Sequence, residues 1–185
     1  MDTQNQGKLY LVTGASGYVG GRLVRDLMSD KKRVRVFVRD AKKIQGQSWA
    51  NDVEIVEGNA SNSQDLDRAL VGVNTAYYLL HSINVATDFG DIESAMARSF
   101  ALASEKAHVA QIIYLGGIAN DENRSRHLTS RMNTGSQLAS TSVPVLELRA
   151  GIIIGSGSAS FEMLRHLTHR LPIMTTPKWV SNRTQ

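Results

Sequence analysis

Short apolar runs alternate with longer amphipathic segments along the whole chain. The runs are rich in β-branched and aromatic residues, and they predict strands at about 8–13, 34–38, 53–57, 74–80, 111–115 and 145–149. Segments with apolar residues spaced three and four apart predict helices near 18–29, 63–71, 88–107, 125–141 and 159–170. This alternation is typical of βαβ units, so the predicted fold class is α/β, a doubly wound parallel sheet of the Rossmann type.

A glycine-rich turn, TGASGYVGG at 13–21, joins the first predicted strand to the first predicted helix. Gly14 permits a sharp reversal, Gly17 leaves room for a pyrophosphate, and Gly20 lets the helix pack closely on the strand. The free N–H groups at the start of that helix would face the anion. The spacing is G-x-x-G-x-x-G, but its place between a strand and a helix still predicts dinucleotide binding. The predicted contacts here are Gly14, Ser16, Gly17, Tyr18, Val19 and Gly20.

Arg39 stands at the end of the second predicted strand, where NAD-dependent enzymes carry an acidic residue for the ribose hydroxyls. A guanidinium grips a 2′-phosphate bidentately, so Arg39 favours NADP(H), with NAD(H) as the alternative cofactor. An exposed strand-end arginine is the structural alternative. Asp40 would either cap the next helix or turn towards a ribose. Because ligands bind at the carboxyl ends of such strands, Leu80–Ser82 and Leu115–Gly117 should converge with the glycine turn.

These motifs resemble the short-chain dehydrogenase/reductase superfamily, in its atypical, NmrA-like or NAD(P)H-binding branch. The resemblance covers nearly the whole chain. It rests on TGASGYVGGRL at 13–23, VRVFVRD at 34–40, VEIVEGNASN at 53–62, AYYLLHS at 76–82, IIYLGGI at 112–118 and PVLELRAGIIIGSGSASFEMLRHL at 144–167. It implies one NAD(P)-binding Rossmann domain over 1–185, in which 150–185 begins a substrate-side region. Since 173–185 predicts no stable element, we expect the fold to lack its C-terminal substrate portion, as a fragment would.

The same resemblance implies further cofactor contacts after the third and fourth strands. Asn59 and Ala60 occupy the place beside the adenine, where Asn59 either binds the adenine edge or serves only as a turn residue. Leu80, His81 and Ser82 would flank the ribose, with a simple loop histidine as the alternative for His81. These five residues complete the predicted cofactor-binding set.

The Ser-Tyr-Lys triad of hydride-transferring members has no counterpart here. Glycines, Gly116 and Gly117, stand where the serine would sit, and the tyrosine–lysine spacing falls on His127 and Arg131. Histidine transfers protons near neutral pH, whereas arginine can hold a ribose but donates no proton. His127 and Arg131 are therefore the candidate catalytic pair, and a surface i,i+4 pair without catalytic duty is the alternative.

Two weaker patterns lie near the end of the chain. Glu162, His166 and His169 share one helix face and form the strongest candidate metal ligands, although the prediction is that no metal site is present. GSGSAS at 155–160 would either bind a phosphate at a helix start or form the substrate loop that the resemblance implies.

Composition narrows the class of protein further. The absence of cysteine excludes disulfides and thiolate metal sites, and neither a signal core nor an apolar run of membrane-spanning length is present. These features favour a cytoplasmic protein without a membrane partner. The net charge of +4 comes from scattered residues without a recognition motif, so nucleic acid is not an expected partner.

Two functions remain open on the sequence. The first is an NADP(H)-dependent reductase or isomerase of the atypical branch, acting on an unknown small molecule. The alternative is a non-catalytic NAD(P)H-sensing regulator of the NmrA type that passes the cofactor state to a protein partner. A role in assembly that keeps the dinucleotide only for stability is a third interpretation.

Overall fold

The computed structural model describes residues 7–81, 89–118, 126–151 and 153–171. Six parallel strands form one sheet in the order β3-β2-β1-β4-β5-β6. The strands are β1 (Leu9–Thr13), β2 (Arg33–Val38), β3 (Glu54–Glu57), β4 (Val73–Tyr78), β5 (Gln111–Gly117) and β6 (Val145–Ala150). The helices are α1 (Tyr18–Ser29), α2 (Ser63–Leu70), α3 (Phe89–Lys106), α4 (Arg126–Leu138) and α5 (Ala159–Arg170). This strand order is that of the doubly wound Rossmann sheet and confirms the predicted fold class.

Each predicted strand and helix is present, with bounds that differ by a few residues. Helix α4 ends at Leu138 rather than at 141, because Ser140 turns back and its hydroxyl donates to the carbonyl of Gln137 at 2.7 Å. A short 3-10 helix, Ala41–Ile44, was not predicted. Its four residues are too few to carry a periodic pattern.

Buried side chains form a separate cluster on each face of the sheet. Leu11 points into one cluster with Phe100 of α3, whereas the next residue, Val12, joins the other with Val24 of α1 and Trp49. This alternation is the two-residue period of a strand covered on both faces. Helices α2 to α4 therefore cover one face, and α1 with the 44–50 segment covers the other.

Strand β6 and helix α5 leave several apolar side chains open to solvent. Leu148 is 51% exposed and Met163 is 65% exposed. Patches of this kind mark surfaces suited to contact with further protein. Among the described residues, no helix is long and apolar enough to cross a lipid bilayer.

Thr13 ties β1 to β4 at the point where the order of the sheet reverses. Its fully buried hydroxyl donates to the carbonyl of Tyr77 at 3.0 Å and accepts from the N–H of Leu79 at 2.9 Å. Strands β2 and β3 lie on one side of β1, and β4 to β6 lie on the other. A crevice at this switch point is where doubly wound sheets bind ligands, and Thr13 holds together the two strands that border it.

Replacing Thr13 with valine is expected to lower the free energy of unfolding by about 2 kcal/mol, because the partly buried Tyr77 carbonyl and Leu79 N–H lose their partner. Urea denaturation measures this loss. Thr13→Ser keeps the hydroxyl and should lose less than half as much. An equal loss in both variants would show that packing of the methyl group, rather than the hydroxyl, stabilises the crevice.

Candidate functional site

A cavity of about 380 Å³ opens at the carboxyl ends of β1 to β4. Its wall combines residues from four strand ends with one face of α3. Of the predicted cofactor contacts, it contains Gly14, Ser16, Gly17, Arg39, Asn59, Ala60, Leu80 and His81. Residues that are far apart in the sequence thus line one cavity, as expected for residues that follow the carboxyl ends of parallel strands. Ser82 lies outside the described residues.

The glycine turn forms a tight cradle at the centre of this wall. Gly14 has φ +68°, and a Cβ there would lie 2.6 Å from the carbonyl oxygen of Leu79. A Cβ on Gly20 would overlap the carbonyl of Gly14. The N-cap Gly17 offers no side chain to the first N–H groups of α1, which lack intrahelical acceptors. An uncapped helix start beside a backbone too close for side chains fits the pyrophosphate of a dinucleotide.

Tyr18, Val19 and Gly20 belong to the first turn of α1 and do not line the cavity through side chains. The Tyr18 ring instead faces the loop after β6, and its hydroxyl occupies the space that a Cβ on Gly155 would take. Arg22 lies over this ring, 4.6 Å from its centroid, and donates to the carbonyl of Ser156 at 3.2 Å. A contact between the cofactor and the backbone N–H groups of these three residues stays a prediction.

The end of β2 brings two cations to the cavity. Asp40 caps the 3-10 helix, because its carboxylate accepts from the N–H of Lys42 at 2.9 Å, so the capping alternative is the one observed. The short helix carries Lys43 to the cavity wall beside the exposed Arg39. Within the described ranges, no carboxylate forms an ion pair with Arg39 or Lys43. The pair leaves positive charge available for a phosphate.

Asn59 is a turn residue as well as a cavity residue. Its side-chain oxygen accepts from the N–H of Ser61 at 3.0 Å, and its own N–H donates to Asp65 at 2.9 Å. The side-chain oxygen is therefore engaged in an Asx turn. A contact with an adenine would use the side-chain NH₂ group of Asn59.

His81 forms the part of the wall next to β5. Its Nε2 lies 3.2 Å from the carbonyl oxygen of Leu115, and its ring centroid is 6.1 Å from that of Tyr114. Partial burial and the positive charge of Arg131 lower the pKa of His81, while the bond to Leu115 and the carboxylate of Glu93 oppose that shift. The structure thus places His81 in the cavity rather than in an isolated loop.

The candidate catalytic pair is only partly described. His127 is the second residue of α4, and its side chain lies outside the described residues. Arg131 packs next to Gly117, where a Cβ would lie 3.3 Å from the Arg131 Cδ, and its carbonyl accepts from the hydroxyl of Tyr114 at 2.9 Å. Arg131 does not line the cavity. Neither does the 115–117 segment, which reaches the site only through the carbonyl of Leu115.

Glu93 is the most informative cavity residue that sequence reasoning missed. It lies on α3, and its carboxylate accepts from the hydroxyl of Ser130 on α4 at 2.5 Å. The sequence signal that could have identified Glu93 is an acidic residue among the small and apolar residues of the predicted helix at 88–107. The other lining residues that were not predicted as contacts are Phe37, Val38, Asp40, Lys43, Gly58, Ser61, Tyr78, Leu79, Ile92 and Met96.

Glu162 forms the main contacts at the start of α5, where the GSGSAS segment and the candidate metal ligands lie. Its carboxylate accepts from the N–H of Gly157 at 3.1 Å and pairs with Arg165 at 2.7 Å, while Ser158 caps α5. An acidic side chain at this helix start disfavours the phosphate alternative. Among the described residues, no group of three side chains is arranged to hold a metal ion. The candidate set of Glu162, His166 and His169 is therefore not arranged as a metal site.

Comparisons with known proteins agree with this geometry. A family model described as NAD(P)H-binding matches residues 14–142, more than half of the chain. The chain is 27% identical over 166 residues to the ceramide reductase of Caulobacter vibrioides (strain NA1000 / CB15N), covering 88% of the chain and 52% of that protein.

Solved structures with the same fold include two that cover most of the chain. The Citrobacter sp. triphenylmethane reductase complexed with NADP(H) has a TM-score of 0.69 and 22% identity, over 88% of this chain and 55% of that one. A nucleoside-diphosphate-sugar epimerase from Staphylococcus aureus has a TM-score of 0.65 and 19% identity, over 77% of this chain and 50% of that one. The chain spans about half the length of these relatives.

Proposed function

We propose that this chain, which belongs to the NAD(P)H-binding family, acts as an NADP(H)-dependent reductase or isomerase on a small molecule. The observation that carries the proposal is the cavity under the uncapped start of α1, built from four strand ends. A matched relative is named as a reductase, and a structural neighbour was solved with NADP(H). In this proposal, 1–185 is the dinucleotide-binding domain and 150–185 begins the substrate side.

The preference for NADP(H) over NAD(H) is supported by Arg39 and Lys43. Both cations lie at the end of β2, and neither has a carboxylate partner among the described residues. The 2′-phosphate distinguishes the two cofactors, and an arginine near the second strand accommodates it. Asp40, the acidic residue that would favour NAD(H), is engaged as a helix cap.

The order of the strands divides the cavity into two halves. Residues after β2 and β3 would hold the adenosine half, and residues after β4, with the neighbouring end of β5, would hold the nicotinamide half. A bound reduced nicotinamide supplies a hydride to an electrophilic carbon. The chain orients the cofactor, and His81 and Glu93 bring proton-exchanging groups to the second half.

A sensing role without catalysis is the second candidate, and the end of β5 favours it. A Cβ on Gly116 would lie 2.5 Å from a carboxylate oxygen of Glu147. That oxygen is the end of a flexible side chain and can move aside, so what this end of β5 lacks is the hydroxyl itself, since residues 116 and 117 are both glycine. Loss of that hydroxyl is what a regulator of the NmrA type would tolerate.

Calorimetric titration with NADPH and NADH, followed by NADPH oxidation against a panel of carbonyls and quinones, separates these functions. The reductase proposal expects at least about tenfold tighter binding of NADPH, from charge-assisted bonds to the extra phosphate, and turnover of a panel member. Tight binding with no turnover would support the sensor instead. Failure to bind either cofactor would contradict both. His127→Ala tests the predicted catalytic pair in the same assay.

A further inference from the structure

A polar cluster closes the β4–β5 end of the cavity. Glu93 of α3 and His81 after β4 both line the wall, and the hydroxyl of Ser130 on α4 donates to the Glu93 carboxylate at 2.5 Å. Helix α3, the segment after β4 and helix α4 thus each contribute one polar side chain to this cluster. This is the end of the crevice assigned above to the nicotinamide half.

The contact with Leu115 fixes the protonation pattern of His81. A carbonyl oxygen only accepts hydrogen bonds, so the Nε2 of His81, 3.2 Å from the oxygen of Leu115, carries the proton in the neutral ring. The remaining nitrogen, Nδ1, is then the lone-pair acceptor of the neutral form. In this tautomer Nδ1 is the ring nitrogen that is left to exchange protons.

The other hydroxyl groups in this region are unsuited to that exchange. Burial raises the pKa of Tyr114 to about 12, and the Tyr114 hydroxyl is already donated to the carbonyl of Arg131. Burial likewise raises the pKa of Tyr78. Neither phenol therefore supplies protons near neutral pH, whereas an imidazole does.

We propose that His81 is the acid–base residue of this site, and that Glu93, held by Ser130, is a positioning residue that sets its proton affinity. The proposal rests on the NADP(H)-dependent activity proposed above. The substrate class is a carbonyl compound in one direction and the corresponding alcohol in the other.

The proton and electron balance of the step is simple. In reduction, the carbonyl carbon receives a hydride from the reduced cofactor, the C=O π pair moves to oxygen, and the Nδ1–H of protonated His81 transfers its proton to that oxygen. The products are the alcohol, the oxidised cofactor and neutral His81, which solvent reprotonates. In oxidation, neutral His81 would take the hydroxyl proton at Nδ1 while the alcohol carbon gave up its hydride to the oxidised cofactor, and the protonated ring would then release that proton to solvent.

Charged and titratable groups of the described residues surround the ring from four elements. They are Tyr78 on β4, Glu93 on α3, Tyr114 on β5 and Arg131 on α4. Partial burial and Arg131 hold the pKa of His81 below 6.5, while Glu93 opposes them. Oxidation should therefore gain rate as pH rises through that pKa and then level off. Reduction should lose rate over the same interval.

The experiment combines NMR of the histidine nitrogens with kinetics. In the free protein, long-range ¹H–¹⁵N spectra should show His81 with the proton on Nε2 and a titration midpoint below 6.5. Addition of NADP⁺ should shift the Nδ1 signal. Glu93→Gln keeps an acceptor for Ser130 but removes the negative charge, so it should lower the midpoint further and move the pH profile with it.

His81→Gln retains a donor for Leu115 and removes the acid–base nitrogen. We expect its kcat to fall at least about 100-fold, with the pH-dependent limb lost and the Kd for NADPH within about threefold. His108→Asn is the matched control, since this exposed histidine follows α3 at φ +56°, a conformation that asparagine accepts. It should leave the rate and the pH profile unchanged.

The outcomes separate this inference from the proposed function. An unaltered protein that bound no NADPH would contradict the proposed function, and the role of His81 would fall with it. If the protein bound NADPH but reduced nothing, the sensor would be supported, and the reductase proposal would fall together with the role of His81. If the protein reduced a substrate and His81→Gln kept its rate and pH profile, the acid–base role alone would be overturned. An Nδ1 signal unmoved by NADP⁺ would overturn it as well.

Discussion

Gly20→Ala is expected to weaken NADPH binding about 100-fold, a loss of about 3 kcal/mol in binding free energy. The added Cβ would overlap the carbonyl of Gly14 and lie 2.9 Å from the Cα of Ala15. These are backbone atoms that cannot rotate away, so α1 must move off the turn. Its first N–H groups would then no longer converge on the pyrophosphate. Titration of NADPH by fluorescence measures the change.

The same substitution should lower stability, since overpacking costs about 1–3 kcal/mol. Gly46→Ala is the matched control, because a Cβ at Gly46 meets no atom within 4 Å. This variant should keep both its melting temperature and its affinity for NADPH. Normal binding by a folded Gly20→Ala variant would contradict the proposed placement of the pyrophosphate.

Removing Arg39 and Lys43 together should erase the preference for NADPH. Charge-assisted hydrogen bonds contribute about 1.5–3 kcal/mol each, so Arg39→Ala alone should weaken NADPH binding about 10- to 100-fold. The double variant should weaken it further. Affinity for NADH should stay within about threefold, because NADH carries no 2′-phosphate. Calorimetric titration of both cofactors against both variants gives the comparison.

Lys42 provides a close control for this experiment. It is an exposed lysine on the same 3-10 helix, but it does not line the cavity. Lys42→Ala should therefore lower NADPH affinity only slightly, through the general field of the protein. A drop equal to that of Arg39→Ala would show that net charge, and not a local phosphate site, attracts the cofactor.

The sheet was predictable because its signals are local. The run at 9–13 and the glycine turn after it specify a strand, a reversal and a helix without help from distant residues. The carboxyl ends of parallel strands necessarily share one edge of the sheet. For that reason, the amino-acid pattern alone is enough to bring Arg39, Asn59 and His81 to the same cavity.

Lys43 and Glu93 escaped prediction for two different reasons. Lys43 reaches the cavity through a 3-10 helix whose cap, Asp40, fits a ribose contact equally well on the sequence. Glu93 gains its position from Ser130, 37 residues further along the chain, and no local pattern pairs them. A local cap thus placed Lys43, whereas packing of α3 against α4 placed Glu93. Sequence periodicity alone carries no information about which polar residue of one helix meets which residue of another.

The His127–Arg131 hypothesis shows the limit of arguing from spacing. The four-residue interval correctly places both residues on α4, one turn apart. It says nothing of where each side chain points. Arg131 packs against Gly117 and influences His81 through its charge. The role of His127 stays a prediction.

The fit of Tyr18 against Gly155 also bears on how this chain can vary over evolutionary time. The tyrosine hydroxyl fills the space of a Cβ at Gly155, although the two positions are separated by most of the sheet in sequence. We expect substitutions at the two positions to be correlated. A relative with a small residue at 18 is free to place a side chain at 155, whereas one that keeps tyrosine must turn that ring aside to do so. Diversification of the loop after β6 is therefore constrained by the helix of the dinucleotide turn.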